Sequence, residues 1–317
     1  MFSVYLKVNI VKLRKILNIC VFRASVDPNQ NPKHMKKYLL MTPIAALLLF
    51  TSCETGRQQQ DTSTQDTGET VGATAQTPAP GQGIVMENNG LRLTSIDDSP
   101  KYPEARLRQL EPQNNANQQA GAVSFNYEVT NFQLTRQTPD ADHKEHANSK
   151  EGQHIHNILN NQPYTAHYET RFTKDVPEGN HVVLSFLSRS YHESLKHQGA
   201  YELVTFNVGR PAEANTFDRN GQHMFYSRPK GEYEGDDTRR VMLDFYLINT
   251  DLSESGNRVR ATINGTEFML HHWVPYSIEG LPMGENTIKL ELLDQNGNLI
   301  PGPYNSVERT ITLKGGA

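Results

Sequence analysis

Cysteine is almost missing: the 317 residues hold two, Cys20 and Cys53. Both precede the part of the chain with a folding pattern, so the body is expected to have neither a disulfide nor a thiolate metal ligand. A domain of about 100 residues buries enough apolar surface to fold without either. Long apolar runs are also lacking. The richest, Tyr38 to Phe50, is shorter than the roughly 20 residues that cross a bilayer and is interrupted by Pro43. No block of Lys and Arg occurs and the formal charge is −4, which removes the electrostatic footprint of a nucleic-acid partner. Enzyme signatures are absent as well. There is no Gly-Lys-Ser/Thr phosphate loop, no Gly-x-Ser-x-Gly elbow, no His-Glu-x-x-His helix and no cysteine placed for catalysis, so no enzyme is expected.

What is present near the start is an export signal. Lys36 and Lys37 precede the run Tyr38 to Phe50, and Thr51-Ser52-Cys53 follows it. A charged start, a short greasy core and small residues before a cysteine read as a signal peptide at 35–52. The pattern resembles the bacterial lipobox, with Phe50 standing where Leu is usual, and the resemblance implies lipidation of Cys53. Residues 1–34 are then an extension upstream of the true start at Met35. Membrane attachment through lipid and a place in the bacterial cell envelope follow as expectations.

Between 53 and 84 the chain is mostly Gln, Thr, Gly, Ala, Ser and Pro, too poor in apolar groups to offset its ordering entropy, and reads as a flexible, disordered tether. Beyond it, short alternating runs are separated by Gly, Pro, Asn and Asp, the spacing of an all-β domain. The chain also repeats. Val123 to Leu134 matches Val241 to Leu252 without a gap, His154 to Tyr164 matches Arg258 to Phe268, Val176-Pro-Glu-Gly179 matches Leu281-Pro-Met-Gly284, and Tyr201 to Val208 matches Val307 to Leu313. Four blocks in one order predict two tandem immunoglobulin-like antiparallel β-sandwiches, one at 85–213 and one at 214–317.

The repeat assigns faces. Val259, Ala261 and Ile263 alternate with Arg258, Arg260 and Thr262, so the arginine set faces solvent, and His154 and His156, which take the arginine places, are expected on the same outer face. The copies differ most between their second and third strands. There, 19 residues separate Leu134 from His154 and only 5 separate Leu252 from Arg258. The insertion carries Asp140, Asp142, His143, Glu145 and His146, and the loop from Ser188 to Ala200, expected at the same end of the sandwich, carries His192, Glu193 and His197.

Two uses of that end are open. His154 and His156 are two imidazoles on one strand face. With His192, His143 or His146 they form a candidate set for zinc or copper. Arg189, Tyr191, Glu193, Lys196 and His197 form a candidate surface for a peptide, protein or glycan ligand. Solvated loop side chains are the plain reading of any one of them. Asn264-Gly265-Thr266 fits a two-residue hairpin turn better than a glycosylation acceptor.

At Gly152 to Tyr164 and Leu187 to Tyr201 the chain resembles a group of little-characterised bacterial lipoproteins, some labelled phosphopeptide-binding protein, over roughly Leu91 to Leu313. The His-x-His strand followed by a Pro-Gly turn is also similar to small periplasmic β-sandwich domains taken to bind metal. The expectation is a noncatalytic envelope lipoprotein with a metal- or ligand-binding His-rich end. The alternatives are a structural or adhesive module for protein or (phospho)peptide without metal and, last, a metal-dependent enzyme.

Overall fold

The computed structural model describes residues 74–76 and 83–316. The extension 1–34, the signal peptide 35–52 and Cys53 lie outside the described residues. No described helix is long and apolar enough to cross a membrane.

The described chain is all β. In order its strands are β1 (Thr74–Gln76), β2 (Val85–Asn88), β3 (Leu91–Ser95), β4 (Arg106–Glu111), β5 (Ala116–Gln118), β6 (Gly121–Thr130), β7 (His154–Leu159), β8 (Thr165–His167), β9 (Arg171–Val176), β10 (Gly179–Ser188) and β11 (Tyr201–Val208). They continue as β12 (His223–Arg228), β13 (Glu232–Glu234), β14 (Val241–Ile248), β15 (Arg258–Ile263), β16 (Thr266–Leu270), β17 (Tyr276–Glu279), β18 (Gly284–Leu293) and β19 (Ser306–Lys314). The first sandwich packs the sheet β4-β6-β9 on the sheet β5-β11-β10-β7-β8, and the second packs β1-β2-β3-β17-β14-β12 on β13-β19-β18-β15-β16. Two tandem immunoglobulin-like sandwiches account for all of it.

The duplication persists in the hydrogen bonds. At the turn after β7 the Asn160 side chain accepts from Val182 N at 2.9 Å, and at the turn after β15 Asn264 accepts from Thr287 N at 2.9 Å. In the loop after β10, Arg189 N donates to Glu193 O at 2.9 Å, and after β18 Asp294 N donates to Asn298 O at 2.8 Å. Asn264 and Gly265, at φ 47° and 83°, make the two-residue hairpin turn that joins β15 to β16.

Three differences from the sequence expectation matter. The hairpin β2–β3, placed by sequence at the start of the first sandwich, instead pairs with the second: β3 runs antiparallel to β17 with Leu93 opposite Ile278. Met86, Leu91 and Leu93 bury themselves in the second core, which satisfies both their apolar faces and the edge of that sheet. Within the expected tether 53–84, residues 74–76 form a strand on β2.

The third difference concerns faces. Every residue of β14 is buried, and the run His181 to Ser188 within β10 is buried throughout. A strand buried on both sides needs a layer on each. Val183, Leu187 and Phe206 fill the first sandwich, while Val182, Leu184, Phe186 and Leu203, from the opposite face, pack on Phe225, Tyr246 and Ile248 of the second. The two middle sheets therefore stack face to face. At about 1.5–3 kcal/mol for each large apolar side chain removed from water, this contact holds the sandwiches together.

Candidate three-histidine site

His154 and His156 do project from the face that carries Arg258 and Arg260 in the second copy, but that face is not open to solvent. Both are 0% exposed. Tyr164, Tyr168, Phe186 and His192 pack around them, and Tyr164 is in turn backed by residues of the second sandwich.

His154 Nδ1 lies 2.7 Å from the carbonyl oxygen of Gly152. A carbonyl only accepts, so Nδ1 carries the proton and Nε2 carries the lone pair. Gly152 has φ 87°, and a Cβ there would meet Thr135 O at 2.4 Å, so glycine is needed where the chain passes under the insertion. His154 Nε2 is 2.9 Å from His156 Nε2 and 3.0 Å from His192 Nδ1. The three ligand atoms all fall within 4.8 Å of one another. Around a tetrahedral zinc with bonds of about 2.0–2.1 Å, adjacent nitrogens stand about 3.3–3.4 Å apart, so two of the three spacings need shifts of only a few tenths of an ångström.

His192 is brought in by strained backbone. Its φ is 69°, and it occupies the place held in the second copy by Gly297, at φ 82°. Non-glycine residues rarely enter this region, and where they do the surroundings hold them there. Tyr164 stacks on His156 with ring centroids 3.6 Å apart, and its hydroxyl stands 3.3 Å from His192 Nδ1. From the second sandwich Arg228 Nη1 donates to Tyr164 Oη at 2.9 Å and Nη2 to Tyr233 Oη at 3.0 Å. Lys230 Nζ donates to Tyr164 O at 2.9 Å and lies 4.1 Å from the Tyr164 ring centroid.

The electrostatics keep the imidazoles neutral. Burial brings His154 down to about 4 against the opposing bond to Gly152. Burial, helped by the other imidazoles, Arg228 and Lys230, holds His156 and His192 well below the usual histidine range. Neutral imidazole is the metal-binding form, and one His154 lone pair cannot fully serve two N–H donors. His156 Nδ1 is buried with no partner.

The remaining residues singled out from sequence lie elsewhere. The insertion does meet the loop after β10, through Ser149 N to Ser190 O at 2.9 Å and Ser190 N to Thr138 Oγ1 at 2.9 Å. However, His143 is exposed at the end of a short 3-10 turn, and His146 is partly buried with neither ring nitrogen partnered. Neither belongs to the cluster of ligand atoms.

The expected ligand-binding set is largely engaged within the protein. Arg189, 4% exposed, pairs with Glu193 at 2.9 Å and donates to Pro100 O at 2.6 Å, while Glu193 also accepts from Ser99. Tyr191 is buried with its hydroxyl 3.3 Å from Asp140. Lys196 binds Asp244 of the second sandwich, which is 0% exposed. His197 Nδ1 is 3.2 Å from Gln198 O. Arg189, Glu193, Lys196 and His197 nonetheless border an open cavity of about 350 Å³, together with Tyr102 and Trp273.

Tyr164, Arg228 and Lys230 were not singled out from sequence. The signal for a covered face was there, in the unbroken apolar runs Val182-Val183-Leu184 and Phe245-Tyr246-Leu247-Ile248. The identity of what lines the contact was not.

No family model and no curated protein matches the chain. Among solved structures it is similar to the fibronectin(III)-like modules of Clostridium thermocellum CbhA, at 11% identity and TM-score 0.24, covering 66% of this chain and 94% of that one. It is also similar to the Bacteroides ovatus mixed-linkage glucan utilization locus SGBP-B, at 9% identity and TM-score 0.21, covering 66% and 71%. A two-domain fibronectin type-III segment of chicken tenascin gives 10% identity and TM-score 0.18, covering 68% and 99%. Overlaps this loose carry no argument about function.

Proposed function

We propose that this chain is a noncatalytic, membrane-tethered binding module of the bacterial envelope that holds one zinc or copper ion through His154, His156 and His192. The observation that carries the reading is the convergence of three neutral imidazoles from two segments. One is fixed in tautomer by Gly152 and one is held in a backbone conformation that its counterpart reaches with glycine. A carbonyl bond to the far nitrogen is how metal-bound histidines are commonly oriented. The noncatalytic part is supported by burial: His154 and His156 are both 0% exposed, so no large substrate reaches them.

Metal titration of the purified chain with elemental analysis tests this. One equivalent of zinc or copper is expected to bind and to be lost in a His154→Ala/His156→Ala variant; no stoichiometric metal, or unchanged affinity in the variant, removes the reading. The tether is tested separately. Cys53→Ala is expected to move the protein from the membrane fraction to the soluble one, and continued membrane retention would count against lipidation.

The cavity beside Trp273 and Tyr102 favours a second use, for a glycan or peptide that stacks on those rings. Arg189, though it borders that cavity, is already committed to Glu193 and backbone carbonyls, so a phosphate would have to displace those bonds. An array of glycans and unphosphorylated peptides tests this use, and retention of a ligand that survives Trp273→Ala would argue against it.

A further inference from the structure

We infer that an anionic oxygen donor completes the three-histidine centre, held in place by Arg228 and Lys230 of the second sandwich. This rests on the metal reading above. Three imidazoles are neutral ligands and leave the charge of a bound ion uncompensated. The cluster of candidate ligands contains no carboxylate, and the two charged side chains against it are both cations. Among the described residues Arg228, Lys230 and the nearby Arg309 have no Asp or Glu within ion-pair distance. Arg228 bonds only to the hydroxyls of Tyr164 and Tyr233, Lys230 to the carbonyl of Tyr164, and Arg309 to the carbonyls of Ser227 and Asn161. Arg228 is 6% exposed, and its Nε is buried with no partner at all.

Buried cations normally have a counter-charge, and a metal ion beside an unpaired guanidinium adds repulsion. An anion bound to the ion and facing Arg228 resolves both problems at once. An oxygen already occupies that position: Tyr164 Oη is 3.3 Å from His192 Nδ1 and 2.9 Å from Arg228 Nη1. That separation from His192 is about the spacing of neighbouring ligands on a tetrahedral ion.

A small carboxylate or carbonate from solution supplies the anionic oxygen, entering past His192, the one member of the triad that is not fully buried.

The test loads the purified chain with Cu(II) and follows visible absorption. Acetate or bicarbonate is expected to shift the copper spectrum saturably, with an apparent affinity about tenfold weaker in Lys230→Gln. Lys230 is partly exposed, so this variant keeps the fold where Arg228→Gln risks losing it. Stoichiometric copper without an anion response overturns the inference and leaves the metal reading standing. So does a Lys230→Gln chain that binds copper more tightly, the result expected of bare repulsion. A chain that takes up no copper removes the metal reading and this inference together.

Discussion

His192 and Gly297 hold equivalent places in the two copies and both have positive φ, yet only one carries a side chain. Forcing an ordinary residue into that region costs about 1–2 kcal/mol, and the imidazole packed among His154, His156 and Tyr164 offsets it. His192→Gly is therefore expected to leave the stability of the metal-free chain within about 1 kcal/mol while abolishing metal binding. Urea denaturation and metal titration on one preparation check the pair, and a collapse in metal-free stability would show that His192 serves packing instead. His146 gives the residue-scale pH effect. Burial, with Lys144 and Arg240 nearby, lowers it to about 4 from the 6.5 of an exposed histidine. A depressed folded value means that the unfolded chain takes up the proton first. The contribution is complete above pH 6.5 and declines by about 1.4 kcal/mol per unit as pH falls toward 4. His146→Leu should reduce the slope in that range by about 1.4 kcal/mol per unit, the other buried histidines keeping theirs, and an unchanged slope would assign the acid sensitivity to those groups alone.

At the scale of elements, the turn after β7 shows how the second sandwich builds on the first. Asn161 has φ 53°, its Oδ1 accepts from Tyr226 N at 2.9 Å, and its carbonyl accepts from Arg309 at 3.0 Å. Asn161→Gly keeps the backbone free to turn but strands the buried Tyr226 N–H, at an expected cost of about 1–3 kcal/mol by urea denaturation; a neutral outcome would mean that water replaces the side chain. Much of this architecture was legible in advance. Alternation and turn residues gave the strands, and four aligned blocks gave the two copies and the face on which His154 and His156 project. Burial of that face was missed although the apolar runs Val182-Val183-Leu184 and Phe245-Tyr246-Leu247-Ile248 signalled it, because the alternation of Arg258 to Ile263 was transferred to a strand whose outer side meets another sheet. The insertion histidines illustrate a related limit: His143 and His146 arrive at the right end of the sandwich, but loop sequence does not encode where a side chain points. The hairpin β2–β3 was misplaced because proximity in sequence favoured the nearer sandwich, whereas the free edge of β17 lay in the farther one.

At the scale of the molecule, the sandwiches share a polar link beside their apolar contact. Lys196 pairs with Asp244, which also accepts from Ser194 N at 3.1 Å. Lys196→Met leaves a buried carboxylate without its cation, so about 3–5 kcal/mol of stability should be lost, and the double change with Asp244→Leu should recover part of it. Thermal unfolding of the four chains of that cycle checks the coupling, and strictly additive losses would rule it out. The path of the chain has a mechanical consequence. Because β3 lies on β17, any pull on the residues ahead of Gly83 reaches the carboxy-terminal sandwich first, through the four residue pairs from Leu93 and its neighbours to Ile278 and its neighbours. The amino-terminal sandwich hangs between two stretches of the other and is sheltered from the load. A pull from that side would therefore peel the edge of the far sandwich while the histidines stay enclosed.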